Sequence, residues 1–118
     1  MLYSLTGTKA EPRTKGRILF IEDTGEQLYH IDRMLRSLKL AGKLEGLAAL
    51  VAGGFTEIRD TKIPWGLSIE ETISDVIGDY DYPVFFNFPA GHQPDNRALF
   101  IGRKAKITSD GENAVMSF

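Results

Sequence analysis

Arg17-Ile18-Leu19-Phe20-Ile21-Glu22-Asp23-Thr24-Gly25 is the stretch that decides the fold. Arg17 to Ile21 is an apolar run without polar alternation, the pattern of a strand buried on both faces in a parallel sheet. After the Asp23-Thr24-Gly25 turn, Leu28, Ile31, Leu35 and Leu38 recur at helical spacing through Leu40. Tyr29 and Met34 widen the stripe, and Gly42 ends it. A second apolar run from Gly46 to Phe55 contains Leu47-Ala48-Ala49-Leu50-Val51 and closes with Gly53-Gly54-Phe55-Thr56. A helix between two such runs is a βαβ crossover, right-handed by the general rule.

Further along, Thr56 to Leu67 is polar and loop-like around Pro64-Trp65-Gly66. Ser68-Ile69-Glu70-Glu71 then fits a capping box and starts a second helix that runs to about Gly78. Val84 to Phe88 reads as a third buried strand. Ala98–Ile101, Lys104–Thr108 and Ala114–Phe118 read as strands joined by turns at Gly102 and Asp110-Gly111. The expected fold class is α/β, with a parallel core sheet and an antiparallel, hairpin-rich C-terminal part. Residues 1–16, with Gly7, Lys9, Glu11, Pro12 and Lys15, read as a connector entering the domain from something longer, and residues 17–118 as the domain.

Composition narrows the function classes. With 118 residues, 42% of them hydrophobic and 25% charged, the chain suits one compact domain able to bury roughly two-thirds of its unfolded surface. A net charge of −2, with basic residues scattered, offers no footprint for nucleic acid or anionic lipid. The absence of cysteine excludes disulfides, thiolate metal sites and cysteine nucleophiles, and is compatible with the cytoplasm. No apolar run approaches a membrane span, and Met1-Leu2-Tyr3-Ser4-Leu5 lacks the basic region and apolar core of a secretory signal.

The chemistry points to two places. Phe85-Phe86-Asn87-Phe88-Pro89-Ala90-Gly91-His92-Gln93-Pro94-Asp95-Asn96 runs an apolar strand into a Pro/Gly turn that carries a histidine. Ligands of open α/β sheets sit beyond the carboxyl ends of strands, and imidazole exchanges protons near neutrality. Gly91, without a side chain, lets the backbone turn sharply and leaves room for another group. Glu22 and Asp23 end the first strand, and a desolvated carboxylate there demands a partner such as imidazole. The run does not alternate, so periodicity leaves both carboxylates open as the orienting acid, and Asp23 also fits an Asx turn.

Other candidates read as structure. His30 lies inside the first helix as a surface or packing residue, and two histidines without an HxxxH spacing make no metal site. Trp65 is a pocket wall, a partner contact or an apolar anchor for its loop. None of the six serines sits in a GxSxG elbow, so an acid and a base are present without a nucleophile.

Gly16-Arg17-Ile18-Leu19-Phe20-Ile21-Glu22-Asp23, Tyr29-His30-Ile31-Asp32-Arg33-Met34-Leu35, Phe88-Pro89-Ala90-Gly91-His92 with Asp95-Asn96, and Ile101-Gly102 occur in that order. Together they resemble the C-terminal domain of the LD-carboxypeptidases, the serine peptidase family of the muramoyltetrapeptide carboxypeptidases and microcin C self-immunity peptidases. The resemblance implies a compact three-layer β/β/α swivelling domain. It also implies a Ser-Glu-His triad in which Glu22 and His92 match the catalytic Glu and His. The serine and oxyanion hole then belong to an N-terminal domain of the same protein. The implied substrate is the L,D-peptide bond of cytoplasmic murein tetrapeptides, with release of D-Ala during peptidoglycan recycling. No cofactor is implied, and a homodimer is an admissible assembly. Within the family pattern, Ala90 stands where a bulkier residue is common, and the loop Glu57 to Leu67 matches nothing. The alternative from a different class is a non-catalytic α/β domain that binds a peptide or a protein. The triad reading places Glu22 and His92, 70 residues apart, at strand ends on one rim of the sheet. A hydrogen bond of about 2.6–3.2 Å is then feasible if the two strands are close neighbours.

Overall fold

The computed structural model describes residues 1–118. Strands β1 (Ile18–Thr24), β2 (Ala49–Thr56) and β3 (Val84–Phe85) form a parallel sheet in the order β1-β2-β3. Helices α1 (Leu28–Leu40) and α2 (Ile69–Ile77) are the two crossovers, and β4 (Lys106–Ser109) pairs antiparallel with β5 (Ala114–Ser117) in a separate sheet. Two right-handed crossovers that step in the same direction across a sheet put both helices on one face. The core agrees: Leu50 and Ala52 of β2 join Ile31, Leu35 and Leu38 of α1 and Ile73, Val76 and Ile77 of α2 in one buried cluster. A helix layer, a parallel sheet and a small antiparallel sheet make up the expected α/β domain. No helix is long and apolar enough to cross a membrane.

Local chemistry sets the helix ends. At the end of α1, Gly42 adopts φ +70. Its N–H donates to the Lys39 carbonyl at 2.9 Å, and the Lys43 N–H reaches the Leu38 carbonyl at 2.9 Å. This is a Schellman motif, which needs a left-handed residue and so favours glycine. At the start of α2 the capping box is complete: the Glu71 N–H donates to Ser68 Oγ at 3.2 Å, and the Ser68 N–H donates to Glu71 Oε2 at 2.7 Å. Such an N-cap contributes about 1 kcal/mol. The Ser68 N–H, and after it the Ser68 hydroxyl, hold the Glu71 carboxyl below its ordinary pKa.

Four expectations about strands need correction. β1 is an edge strand and is half-buried throughout; it is β2, in the centre, that is fully covered from Ala49 to Gly54. An unbroken apolar run reports that both faces are apolar, and the position in the sheet decides how much of each is covered. The run Val84 to Phe88 pairs as a strand only at Val84–Phe85, because Asn87 enters the left-handed region at φ +55 and breaks the extended backbone. Ala98 to Ile101 forms no strand. Phe100 packs edge to face on Phe118 with ring centroids 5.2 Å apart and lies under the Arg103 guanidinium, but its backbone has no ladder to join. Gly53 and Gly54, expected to close a strand, lie inside β2.

Residues 1–16 contain one 3-10 turn, Tyr3–Leu5, and no strand. They lie on the domain: Leu2 packs on the core cluster, Glu11 pairs with Lys43 at 3.1 Å, and the Gly16 N–H donates to the Gly46 carbonyl at 2.7 Å.

Candidate active site

The carboxyl ends of the three parallel strands carry the site. β1 and β2 pair in one register from Ile18↔Ala49 to Ile21↔Ala52 and resume one residue later at Asp23↔Phe55. Glu22 therefore faces two residues of β2, Gly53 and Gly54, a bulge that leaves the alternation of β1 intact. Glu22 consequently follows Phe20 onto the sheet face away from the core helices, while Ile21 packs on the helix-side cluster.

Beyond β3 the chain comes back against the same edge of β2, where Gly91 bridges Gly54 in parallel. The Phe88 N–H donates to the Ala52 carbonyl at 3.0 Å, and the Gly54 N–H donates to the Ala90 carbonyl at 3.0 Å. Phe20 and Phe88 meet edge to face at 6.4 Å. The approach is close: a Cβ on Gly53 would lie 2.5 Å from the Ala90 oxygen and 2.6 Å from the Phe20 ring. Gly91, at φ +102, completes the approach, since a Cβ there would lie 2.9 Å from Glu22 Oε2. Only glycine satisfies both the backbone and the space at that position.

The next residue is His92, and its Nδ1 lies 2.8 Å from Glu22 Oε2. A carboxylate only accepts hydrogen bonds, so Nδ1 carries the proton and Nε2 is the free ring nitrogen. The imidazole is 64% exposed and the carboxylate side chain 27% exposed. The contact forms although the two strands are not adjacent: β2 lies between β1 and β3, and the side chains of Glu22 and His92 meet over it beside Gly53 and Gly54.

Asp23 does not touch the imidazole. Its Oδ1 accepts from the adjacent Thr24 N–H at 2.9 Å, a local bond one residue on rather than the two of an Asx turn. His30 pairs with Glu26 at 2.6 Å one helical turn away, apart from Glu22 and His92. Trp65 fastens its loop to α2, with Nε1 donating to Thr72 Oγ1 at 3.3 Å, in keeping with an anchoring role. Glu57, which sequence reasoning passed over, follows β2 with a strained φ of +53 and adds negative charge near the imidazole. A cavity of about 210 Å³ lined by Phe20, Ile21, Met34 and Phe55 also has Glu22 and Asp23 in its wall.

The pKa of His92 is raised, first by the hydrogen bond to Glu22 and then by that carboxylate's charge, with Asp23 and Glu57 adding to it. A raised pKa in the folded state means that the pair's contribution to stability is fully present below the unfolded value of about 6.5. It is lost as pH rises through the folded value. Exposure of the ring keeps the contribution small. In an NMR titration His92 should therefore give a midpoint above the ordinary histidine value, and Glu22→Gln should bring it down. An ordinary or lowered midpoint in the unmodified chain would contradict the geometry.

A family model described as the LD-carboxypeptidase C-terminal domain matches residues 1–107. The chain is 37% identical over 116 residues to a probable murein peptide carboxypeptidase of Bacillus subtilis, covering 98% of this chain and 36% of that protein. Among solved structures it is similar to a muramoyltetrapeptide carboxypeptidase from Oxalobacter formigenes. That match has a TM-score of 0.87 at 32% identity and covers 98% of this chain and 41% of that one. A microcin C7 self-immunity protein in complex with aspartyl sulfamoyl adenosine matches with a TM-score of 0.64 at 25% identity, covering 75% of this chain and 26% of that one. The chain spans about a third of the length of the curated relatives it matches.

Proposed function

This chain belongs to the family of LD-carboxypeptidase C-terminal domains, and from that membership we propose that it supplies the acid and base of a serine-type LD-carboxypeptidase. Glu22 is the orienting acid and His92 the general base of a Ser-Glu-His triad. The nucleophilic serine and the oxyanion donors belong to another domain of the protein, to which residues 1–16 lead. The observation that carries this reading is the 2.8 Å contact between His92 Nδ1 and Glu22, which leaves Nε2 free for a serine hydroxyl.

In such a triad Nε2 takes the hydroxyl proton as the serine oxygen attacks the scissile carbonyl, and returns it to the departing amine. Glu22 holds the tautomer and stabilises the imidazolium. The names of the relatives support a murein tetrapeptide as substrate, cleaved at its L,D-bond to release terminal D-Ala in the cytoplasmic recycling of peptidoglycan. Only neutral His92 acts as a base, so its raised pKa moves the acid limb of the kcat/KM profile upward in pH.

The test is release of D-Ala from a murein tetrapeptide. The 118-residue chain alone should release none, because without a nucleophile and oxyanion donors covalent catalysis is lost. Beside a serine-bearing domain it should release D-Ala, and His92→Ala should abolish that. Release by the chain alone that disappears on His92→Ala would show a complete site within these residues and overturn the two-domain reading.

A further inference from the structure

We infer that Gln93 and Asn96 are positioning residues, whose side-chain amides lock the turn from Phe88 to Gln93 so that the imidazole of His92 stays against Glu22. His92 projects into solvent, 64% exposed, and has few packed walls to select its rotamer. Its direction therefore depends on the backbone that carries it. That backbone is pinned from two sides. Gln93 Nε2 donates to the Phe88 carbonyl at 2.7 Å and to the Ala90 carbonyl at 3.2 Å. Asn96 Oδ1 accepts from the Gly91 N–H at 3.1 Å, the amide of the residue immediately before His92.

Between these pins the chain makes two tight turns. The Ala90 N–H donates to the Phe88 carbonyl at 2.7 Å, and the Gln93 N–H donates to the Gly91 carbonyl at 2.9 Å, with His92 at the centre of the second. Gly54 gives the Gln93 side chain its room, since a Cβ there would lie 3.1–3.2 Å from it. The Ala90 carbonyl accepts from both Gln93 and the Gly54 N–H, so one oxygen ties the turn to β2 and to its own clamp. A purely structural role would be to satisfy polar groups of the loop. That role predicts a loss of stability with no change in how His92 senses Glu22.

Describing these residues as positioning residues rests on the acid–base reading of Glu22 and His92; the clamp itself can be tested without any peptidase assay. The charged groups facing His92 are Glu22 and Asp23 from β1 and Glu57 beyond β2, while Asp95 and Arg97 of its own loop pair with each other at 2.8 Å. Gln93→Met and Asn96→Ala alter none of these charges. In the 118-residue chain the titration midpoint of His92 is measured by NMR for the unmodified sequence, for each variant, and for each combined with Glu22→Gln. The effect of Glu22→Gln on the midpoint measures the contact, as in a double-mutant cycle.

Each clamp variant should shrink that effect to less than about half, because the midpoint difference reports the pairing the clamp maintains. The amide resonances of α1 and α2 should stay unchanged as a control for the fold. An undiminished Glu22 effect accompanied by a lower melting temperature would reduce Gln93 and Asn96 to loop stabilisers and overturn the inference. If Gln93→Met does not fold, Asn96→Ala decides alone, since Asn96 is exposed and its truncation leaves the core untouched. Loss of D-Ala release in carboxypeptidase assays bears on the proposed function and not on this result.

Discussion

Glu22→Gln, in a protein that joins this domain to its serine-bearing partner, should lower kcat by about four orders of magnitude while leaving the fold intact. The oxygen that faces His92 Nδ1 at 2.8 Å would become one end of an amide. An amide turned to present its NH2 group favours the tautomer with the proton on Nε2, the wrong nitrogen for a general base. Even in the other orientation it carries no charge to stabilise the imidazolium. Asp23→Asn should cost far less, under about tenfold, because the Asp23 carboxylate bonds the Thr24 amide and acts on the imidazole only through space. Single-turnover and steady-state kinetics of the two variants check this. A crippled Asp23→Asn beside a mild Glu22→Gln would show that the wrong carboxylate has been assigned.

The largest structural effect is expected at Gly53. Gly53→Ala would put a methyl group 2.5 Å from the Ala90 carbonyl oxygen and 2.6 Å from the Phe20 ring. One neighbour is backbone and the other is a ring packed on Phe88, so neither yields freely. Relief means lifting the Ala90 carbonyl away from β2, which breaks its bonds from the Gly54 amide and from Gln93. Overpacking of this kind costs roughly 1–3 kcal/mol, and the lost hydrogen bonds place the expectation at the upper end. Urea unfolding, treated as two-state, should show this loss, and the His92 titration midpoint should fall as the turn moves off Glu22. Gly54→Ala should be milder, because its new methyl group meets only the Gln93 side chain, which can rotate. A Gly53→Ala domain as stable as the original would mean that the approach of Ala90 to β2 is looser than its distances imply.

The helical half of the domain was legible in the residues. The apolar stripe of α1, its end at Gly42 and the Ser68–Glu71 box that starts α2 all depend on neighbours within about five positions. The order of strand, helix and strand follows from runs that differ in period, and the sense of the crossover from chirality. The C-terminal hairpin around Asp110-Gly111 was legible for the same local reason: Asp110 Oδ1 accepts from the Glu112 and Asn113 amides within the turn.

By itself the sequence pointed to a carboxylate late in the first strand, a histidine in the turn beyond the third, no serine in a GxSxG elbow, and room beside the histidine at Gly91. Only the tertiary structure decided which carboxylate meets the imidazole. That choice depends on the pairing register between β1 and β2, where Gly53 and Gly54 face Glu22 and keep it on the face that His92 approaches. It also decided that the two groups meet across an intervening strand, over Gly53, whose vacant Cβ position admits the Ala90 carbonyl, and Gly54, whose vacant Cβ position admits the Gln93 side chain. A side chain's direction in a strand is local, but the partner opposite it, and the turn that brings the histidine to it, come from residues 30 to 70 positions away.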